Sequence, residues 1–121
     1  MKKYIKEADP FIVPTNTVKL IEEHFGNASN KHDLCSIARN EVPPQWIEPF
    51  QNPEFDEFTL MVKGTILVEV DGEKIEISSG QSILVKKGAR VRYSNPYDYP
   101  SEYWSICLPP FTLDTVHREK K

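Results

Sequence analysis

The chain has 121 residues, 39% hydrophobic and 27% charged, with a net charge of −3. That balance suits one globular domain and argues against disorder. No apolar run approaches the ~20 residues that span a membrane, and no apolar stretch follows the basic start Met1-Lys2-Lys3 as a signal peptide would require. With 18 acidic against 15 basic residues and no basic stripe, neither nucleic acid nor membrane is the expected partner. Cys35 and Cys107 form no CxxC pair, so a zinc knuckle is excluded; both read as reduced core residues of a cytoplasmic protein. Ten prolines and five glycines cut the chain into segments too short for long helices, which favours an all-β fold.

Residues 1–33 read as an N-terminal extension kept extended by Pro10 and Pro14. Within it, 18–25 fits two helical turns or an edge strand equally well, and 26–33 is a polar loop. The first clear strand is predicted over 34–42, ended by Pro43-Pro44, because proline cannot donate to a ladder. Residues 45–53 read as a bent strand or loop, with Trp46 at a dimer seam or pocket rim. A strand over 57–63 stops at Gly64.

Next come Thr65–Val70 and residues 73–77, which flank Asp71-Gly72, a type I′ turn dipeptide. A two-residue loop fixes the register: Val70 opposite Glu73, Glu69 opposite Lys74, Val68 opposite Ile75. Ile66, Val68, Val70, Ile75 and Ile77 then share one face, and Glu69 and Lys74 meet on the other. Strands are predicted over 81–85, 90–95 and Ser101–Leu108. The last is ended by Pro109-Pro110. Residues 111–121 read as a tail with one amphipathic turn at most, fraying after Thr115. Seven to nine short strands make a sandwich or small barrel.

Residues 34–110 resemble a cupin, a double-stranded β-helix or jelly-roll barrel. The second cupin motif, G-x5-PxG-x2-H-x3-N, keeps its spacing as Gly80, Lys86-Lys87-Gly88, Val91 and Asn95. The first, G-x5-HxH-x3,4-E-x6-G, keeps its end as Glu57 and Gly64. Counted back from Glu57 across four residues, its histidine positions fall on Phe50 and Asn52; the second motif's falls on Val91. Three of the four usual metal ligands are therefore absent, and His24, His32 and His117 lie outside the motifs. The expectation is no cupin-type metal and no cofactor. The segments Pro-Glu-Phe-Asp-Glu ending at Glu57 and Tyr-Ser-x-Pro starting at Tyr93 are similar to those of ethanolamine-utilisation type cupins. Those cupins also lack the metal histidines, and an acetate kinase activity has been proposed for them. No phosphate-cradling glycine loop is visible here, so no such activity is carried over.

The resemblance points Glu57 into the barrel, and strand alternation adds Thr59 and Met61. A carboxylate there is a general base or ligand anchor, or else a structural group bonded to Tyr or Arg. Unpaired, desolvation would raise its pKa; paired with Arg39 or a tyrosine, it would not be raised. Tyr93 shares the face of Val91, so it is either core or the acid partner of Glu57, as in the metal-free sugar epimerases of the superfamily. Phe50 and Asn52 are candidate pocket residues, and Glu54 and Asp56 are solvated acids or part of a carboxylate cluster at the mouth. Arg39 either lines the mouth or lies on the surface, and Tyr103 shares one face of its strand with Ser105 and Cys107.

Three functions follow. The first is metal-independent binding of a small polar metabolite in the barrel, with an accessory role in bacterial metabolism. The second is an isomerase, epimerase or lyase acting on a sugar or hydroxy acid with Glu57 and Tyr93 as base and acid. The third is a structural protein with a filled barrel. A homodimer is expected, with the N-terminal extension covering an edge strand across a two-fold axis.

Overall fold

The computed structural model describes residues 3–15 and 17–120; Met1, Lys2, Asn16 and Lys121, which belong to the extension and the tail, lie outside the described residues. Ten strands form two antiparallel sheets. They are β1 (Phe11–Ile12), β2 (Leu20–Phe25), β3 (Ser36–Val42), β4 (Trp46–Ile47), β5 (Asp56–Lys63), β6 (Thr65–Val70), β7 (Glu73–Ser78), β8 (Ser82–Val85), β9 (Val91–Asn95) and β10 (Ser101–Leu108). One sheet runs β1-β2-β3-β10-β5-β8 and the other β4-β9-β6-β7. The one described helix, α1 (Leu113–Val116), is a single turn capped by Thr112.

The hairpin register is as expected, with Val68 opposite Ile75 and Glu69 opposite Lys74. Asp71 and Gly72 both take positive φ, 48° and 89°, as a type I′ turn demands. Gly64 also has positive φ (81°), and a Cβ there would drive into Ser101 Oγ and the Pro100 carbonyl, so only glycine fits this corner. Asn95, at the last position of the second motif, is fully buried. Its amide donates to the Pro43 and Tyr99 carbonyls at 3.0 and 2.8 Å, which pins two loops to one strand end.

Two hydrophobic clusters fill the space between the sheets. The larger joins Val42, Met61, Val85 and Tyr103 of one sheet to Ile66, Val68, Val91 and Tyr93 of the other. The smaller holds Phe55, Cys107 and Val116, with Phe111 packed against it. On β10 the inward face is Tyr103, Ser105 and Cys107, because those residues alternate buried while Glu102, Trp104 and Ile106 do not.

Several expectations change. Of the two readings of residues 18–25 the strand is the one observed, over Leu20–Phe25, and β2 lies beside β3 in the same sheet. Cys35 precedes β3 and is only half-buried, unlike Cys107. The tail does not fray at Thr115. Val116 is buried, the Asn52 amide donates to the His117 carbonyl, and the Glu119 amide donates to the Phe50 carbonyl at 2.7 Å. Backbone pairing with residues 50–54 holds it where a polar sequence alone suggests freedom. No described helix is long and apolar enough to cross a membrane.

Candidate functional site

Between the two clusters lies an enclosed chamber of about 50 Å³, with Gln51, Glu57, Tyr93, Tyr103 and Cys107 in its wall. At the ~10–15 Å³ that one water needs, this admits about three to five water-sized groups. Glu57 reaches it from β5, on the inward side shared with the buried Thr59 and Met61. Tyr93 reaches it from the opposite sheet, and its hydroxyl donates to Glu57 Oε1 at 2.9 Å. One hydrogen bond therefore ties the two sheets together across the cavity.

Two groups that the sequence reading missed complete the charge pattern. Lys19, just before β2, extends inward, with its ammonium 4.9 Å from the Trp46 ring centroid and 5.4 Å from that of Tyr103. Glu48, just after β4, stands with Oε1 3.9 Å from that ammonium and accepts from the Tyr93 amide at 3.4 Å. Lys19 and Glu48 side chains are only 11% and 7% exposed, so the pair is nearly dry without being in hydrogen-bond contact.

Burial pushes the Glu57 carboxyl above its ordinary range, and the Lys19 charge and the Tyr93 hydrogen bond offset this only in part. Glu48 is likewise raised by burial against the opposing charges of Lys19 and Arg118. Lys19 itself is disfavoured by burial, but Tyr103, Glu48 and Glu57 outweigh that and hold the ammonium above its usual value. Burial also lifts the Tyr93 phenol well above its usual range, with Glu57 adding to the effect. Tyr103 is pushed up to about 12 by burial, and the Cys107 thiol is raised by burial and the neighbouring Glu57. Glu57 is thus both paired with a tyrosine and raised, an outcome the simple choice between pairing and desolvation did not allow, because one neutral hydrogen bond is weaker than the loss of water.

Three buried polar atoms have no hydrogen-bond partner among the described residues: Gln51 Oε1, Thr59 Oγ1 and Tyr103 Oη. Buried polar atoms are nearly always paired. Two of these three belong to chamber-lining residues.

Other expected site residues lie elsewhere. Phe50 does not face the cavity. Its ring is covered by the guanidinium groups of Arg90 and Arg92, 3.7 and 4.2 Å from its centroid. Asn52 is exposed. Inward positions in this stretch are the odd ones, Gln51, Pro53, Phe55 and Glu57, all buried or half-buried. A count of two from Glu57, or the three-residue spacing that the motif also permits, leads to Gln51. Arg39 is on the outer face of its sheet, bonded to Glu22, Glu41 and Glu102; its strand neighbours Ala38 and Asn40 take the inward side. Glu54 pairs with His117 on the surface, and Asp56 accepts from the Lys87 amide at 2.9 Å, so neither joins Glu57 in a carboxylate cluster. Trp46 is at the rim, its indole donating to Thr17 Oγ1.

The metal positions implied by the motifs do not fit a transition metal. They hold Gln51 or its neighbours, Glu57 and Val91, which supply no imidazole. No group of three or more His, Cys, Asp or Glu among the described residues is placed to hold an ion.

A family model described as "Cupin domain" matches residues 39–107. Among curated proteins, an endoribonuclease YbeY of Myxococcus xanthus is 40% identical over 108 residues, which is 89% of this chain and 37% of that protein. An acetate kinase EutQ of Clostridioides difficile is 38% identical over 45 residues, 37% of this chain and 28% of that one. The chain therefore spans 37% and 28% of the length of these two curated relatives. Among solved structures, a Streptomyces Pac13 variant with uridine has a TM-score of 0.78 at 13% identity, covering 99% of this chain and 93% of that one. At that identity the likeness speaks for the fold.

Proposed function

The chain belongs to the cupin domain family, and from that premise we propose that it binds a small polar metabolite inside its barrel, without a metal ion, in an accessory role in bacterial metabolism. The observation that carries this reading is the pair of unpartnered buried atoms, Gln51 Oε1 and Tyr103 Oη, on residues that line a chamber of about 50 Å³. A ligand hydroxyl, donating to Gln51 Oε1 and accepting from the Tyr103 hydroxyl, would satisfy both. The chamber also weighs against a barrel filled by its own side chains. Backbone NMR titration with small hydroxy acids and polyols tests it. The expected result is shifts of the Gln51, Tyr93 and Tyr103 amides, weakened by Tyr103→Phe. One transition-metal ion per purified chain would overturn the metal-independent reading.

A second reading rests on the 2.9 Å bond between Tyr93 and Glu57. A carboxyl group with a raised pKa beside a phenol is able to pass a proton, which suits an isomerase, epimerase or lyase. Pac13 is described as a nucleoside dehydratase, which shows only that such chemistry occurs on this fold. In this reading Tyr93→Phe abolishes turnover while ligand binding persists. We further propose a homodimer. The outer face of β5 and its neighbours leaves Phe58, Leu60, Leu84 and Leu108 about two-fifths exposed, and light scattering tests the assembly.

A further inference from the structure

The chamber continues outward. Lys19, Ile21, Glu48 and Arg118 line both it and a more open hollow of about 500 Å³, bounded also by Trp46 and Lys120. The two spaces differ tenfold in room and oppositely in charge. Inside, Glu57 and Glu48 approach one ammonium, and both carboxyls are already disfavoured as anions by burial. A third negative charge there would have no counter-ion. Glu23, also in the chamber wall, is occupied by the Ser29 amide at 2.8 Å.

Outside, the hollow holds Lys19, Arg118 and Lys120 against Glu48 and Glu119. Glu119 is taken by Arg90, whose Nε and Nη2 donate to its two oxygens at 2.6 and 2.9 Å. The Arg118 guanidinium makes no ion pair or side-chain hydrogen bond among the described residues; the Phe111 ring lies 6.0 Å from it, and its charge reaches Glu48 only at longer range. Its backbone bridges Gln51, itself a chamber residue. A forked donor left without an acceptor is suited to a carboxylate or phosphate.

We infer that the ligand is a small organic anion held in two parts: an uncharged, hydroxylated end of three or four heavy atoms in the chamber, and a carboxylate or phosphate in the hollow against Arg118 and Lys120. This rests on the reading that the barrel binds a small polar metabolite, and it adds the charge, the order of the groups and the direction of entry. Gln51 and Tyr103 take the hydroxylated end. Lys19 stands at the junction, its charge shared by Glu48 inside and the anion outside.

The test is an NMR titration of the isotope-labelled full chain with glycerol, inorganic phosphate, glycerol 3-phosphate and glycerate. Glycerol 3-phosphate and glycerate should shift amides in both spaces, near Tyr103 and near Arg118, whereas glycerol shifts the first set and phosphate the second. Each two-part compound should bind about tenfold tighter than glycerol, the worth of one charge-assisted hydrogen bond. That advantage should shrink with added salt. Arg118→Gln should remove most of it. Lys120→Gln, at an exposed position, should remove a smaller part and provides the same test without touching the bridge to Gln51. Anionic compounds that bind no tighter than glycerol, or an advantage that survives both substitutions, would overturn the inference while glycerol's own shifts keep the metabolite reading. Probes that leave the chamber amides unmoved altogether would overturn both.

Discussion

In the β6–β7 hairpin the outermost side-chain partners, Thr65 and Ser78, are 13 positions apart and joined at 3.0 Å. Around the chamber, Tyr93 meets Glu57 and Glu48 across 36 and 45 positions, and Lys19 arrives from a different end of the chain. The hairpin hides apolar side chains, leaves Asp71, Glu73, Lys74 and Glu76 exposed, and pairs its half-buried Glu69 with Arg92. The chamber instead gathers the Lys19 ammonium with the Glu48 and Glu57 carboxyls. Apolar burial is stabilising on its own account. Buried charges are tolerable only as a set, since removing one strands the others.

Breaking that set should have the largest effect. Lys19→Met fills similar space without the charge and leaves the buried Glu48 with Arg118 as its main compensation. We expect a loss of about 3–5 kcal/mol at neutral pH, measured by urea unfolding, as for other broken buried pairs. The loss should shrink as pH falls toward the ordinary carboxyl value of 4.5, because a protonated Glu48 needs no partner. A pH-independent loss would mean that Lys19 contributes packing alone.

The hairpin should respond through its backbone instead. Gly72 has φ of 89°, and a methyl group added there would meet nothing within 4 Å, so Gly72→Ala meets strain without a clash. The expected cost is about 1–2 kcal/mol, the penalty of a left-handed residue, with no pH dependence and no change in ligand binding. A loss of binding would show that the two regions are coupled.

The smallest expected change separates the two regions most finely. Glu57→Gln keeps an acceptor for the Tyr93 hydroxyl and removes the group whose ionisation is disfavoured. Because burial raises the folded carboxyl above 4.5, the wild type is favoured below that value and loses stability as pH rises from it through the folded pKa. The Gln variant should lack this component. We expect melting at neutral pH to change by no more than about 1 kcal/mol, with the variant gaining on the wild type as pH rises, and with proton transfer lost if the protein has it. A strongly destabilised variant at neutral pH would make Glu57 a structural carboxylate.

Much of the barrel was legible from residues alone. Asp71-Gly72 set one hairpin register, prolines and glycines marked the strand ends, the cupin resemblance aimed Glu57 inward, and alternation put Tyr93 on the face of Val91. Alternation on β10 could not say whether Tyr103 or Trp104 faced inward, because both faces carry apolar residues. Its pairing with Met61 on one side and Asn40 on the other decided it. The stretch before β5 failed for another reason. Phe50 and Asn52 were placed by motif spacing across an irregular connection, where a shift of one residue exchanges inside and outside.

Local sequence was enough for the fold class and the hairpin register, since turn chemistry and the two-residue period of a strand set them; the inward aim of Glu57 came with the cupin resemblance, and its meeting with Tyr93 was one of two alternatives. That Lys19, Glu48, Gln51 and Arg118 belong to the same site emerged only from the folded chain. Lys19 and Glu48 lie just outside regular strands, and Gln51 and Arg118 are joined by an isolated bridge, so no local period sets which way they point. Their positions follow from how the β2 approach and the C-terminal tail close over the barrel mouth, where long-range backbone pairing, and not local preference, selects the side that each charge faces.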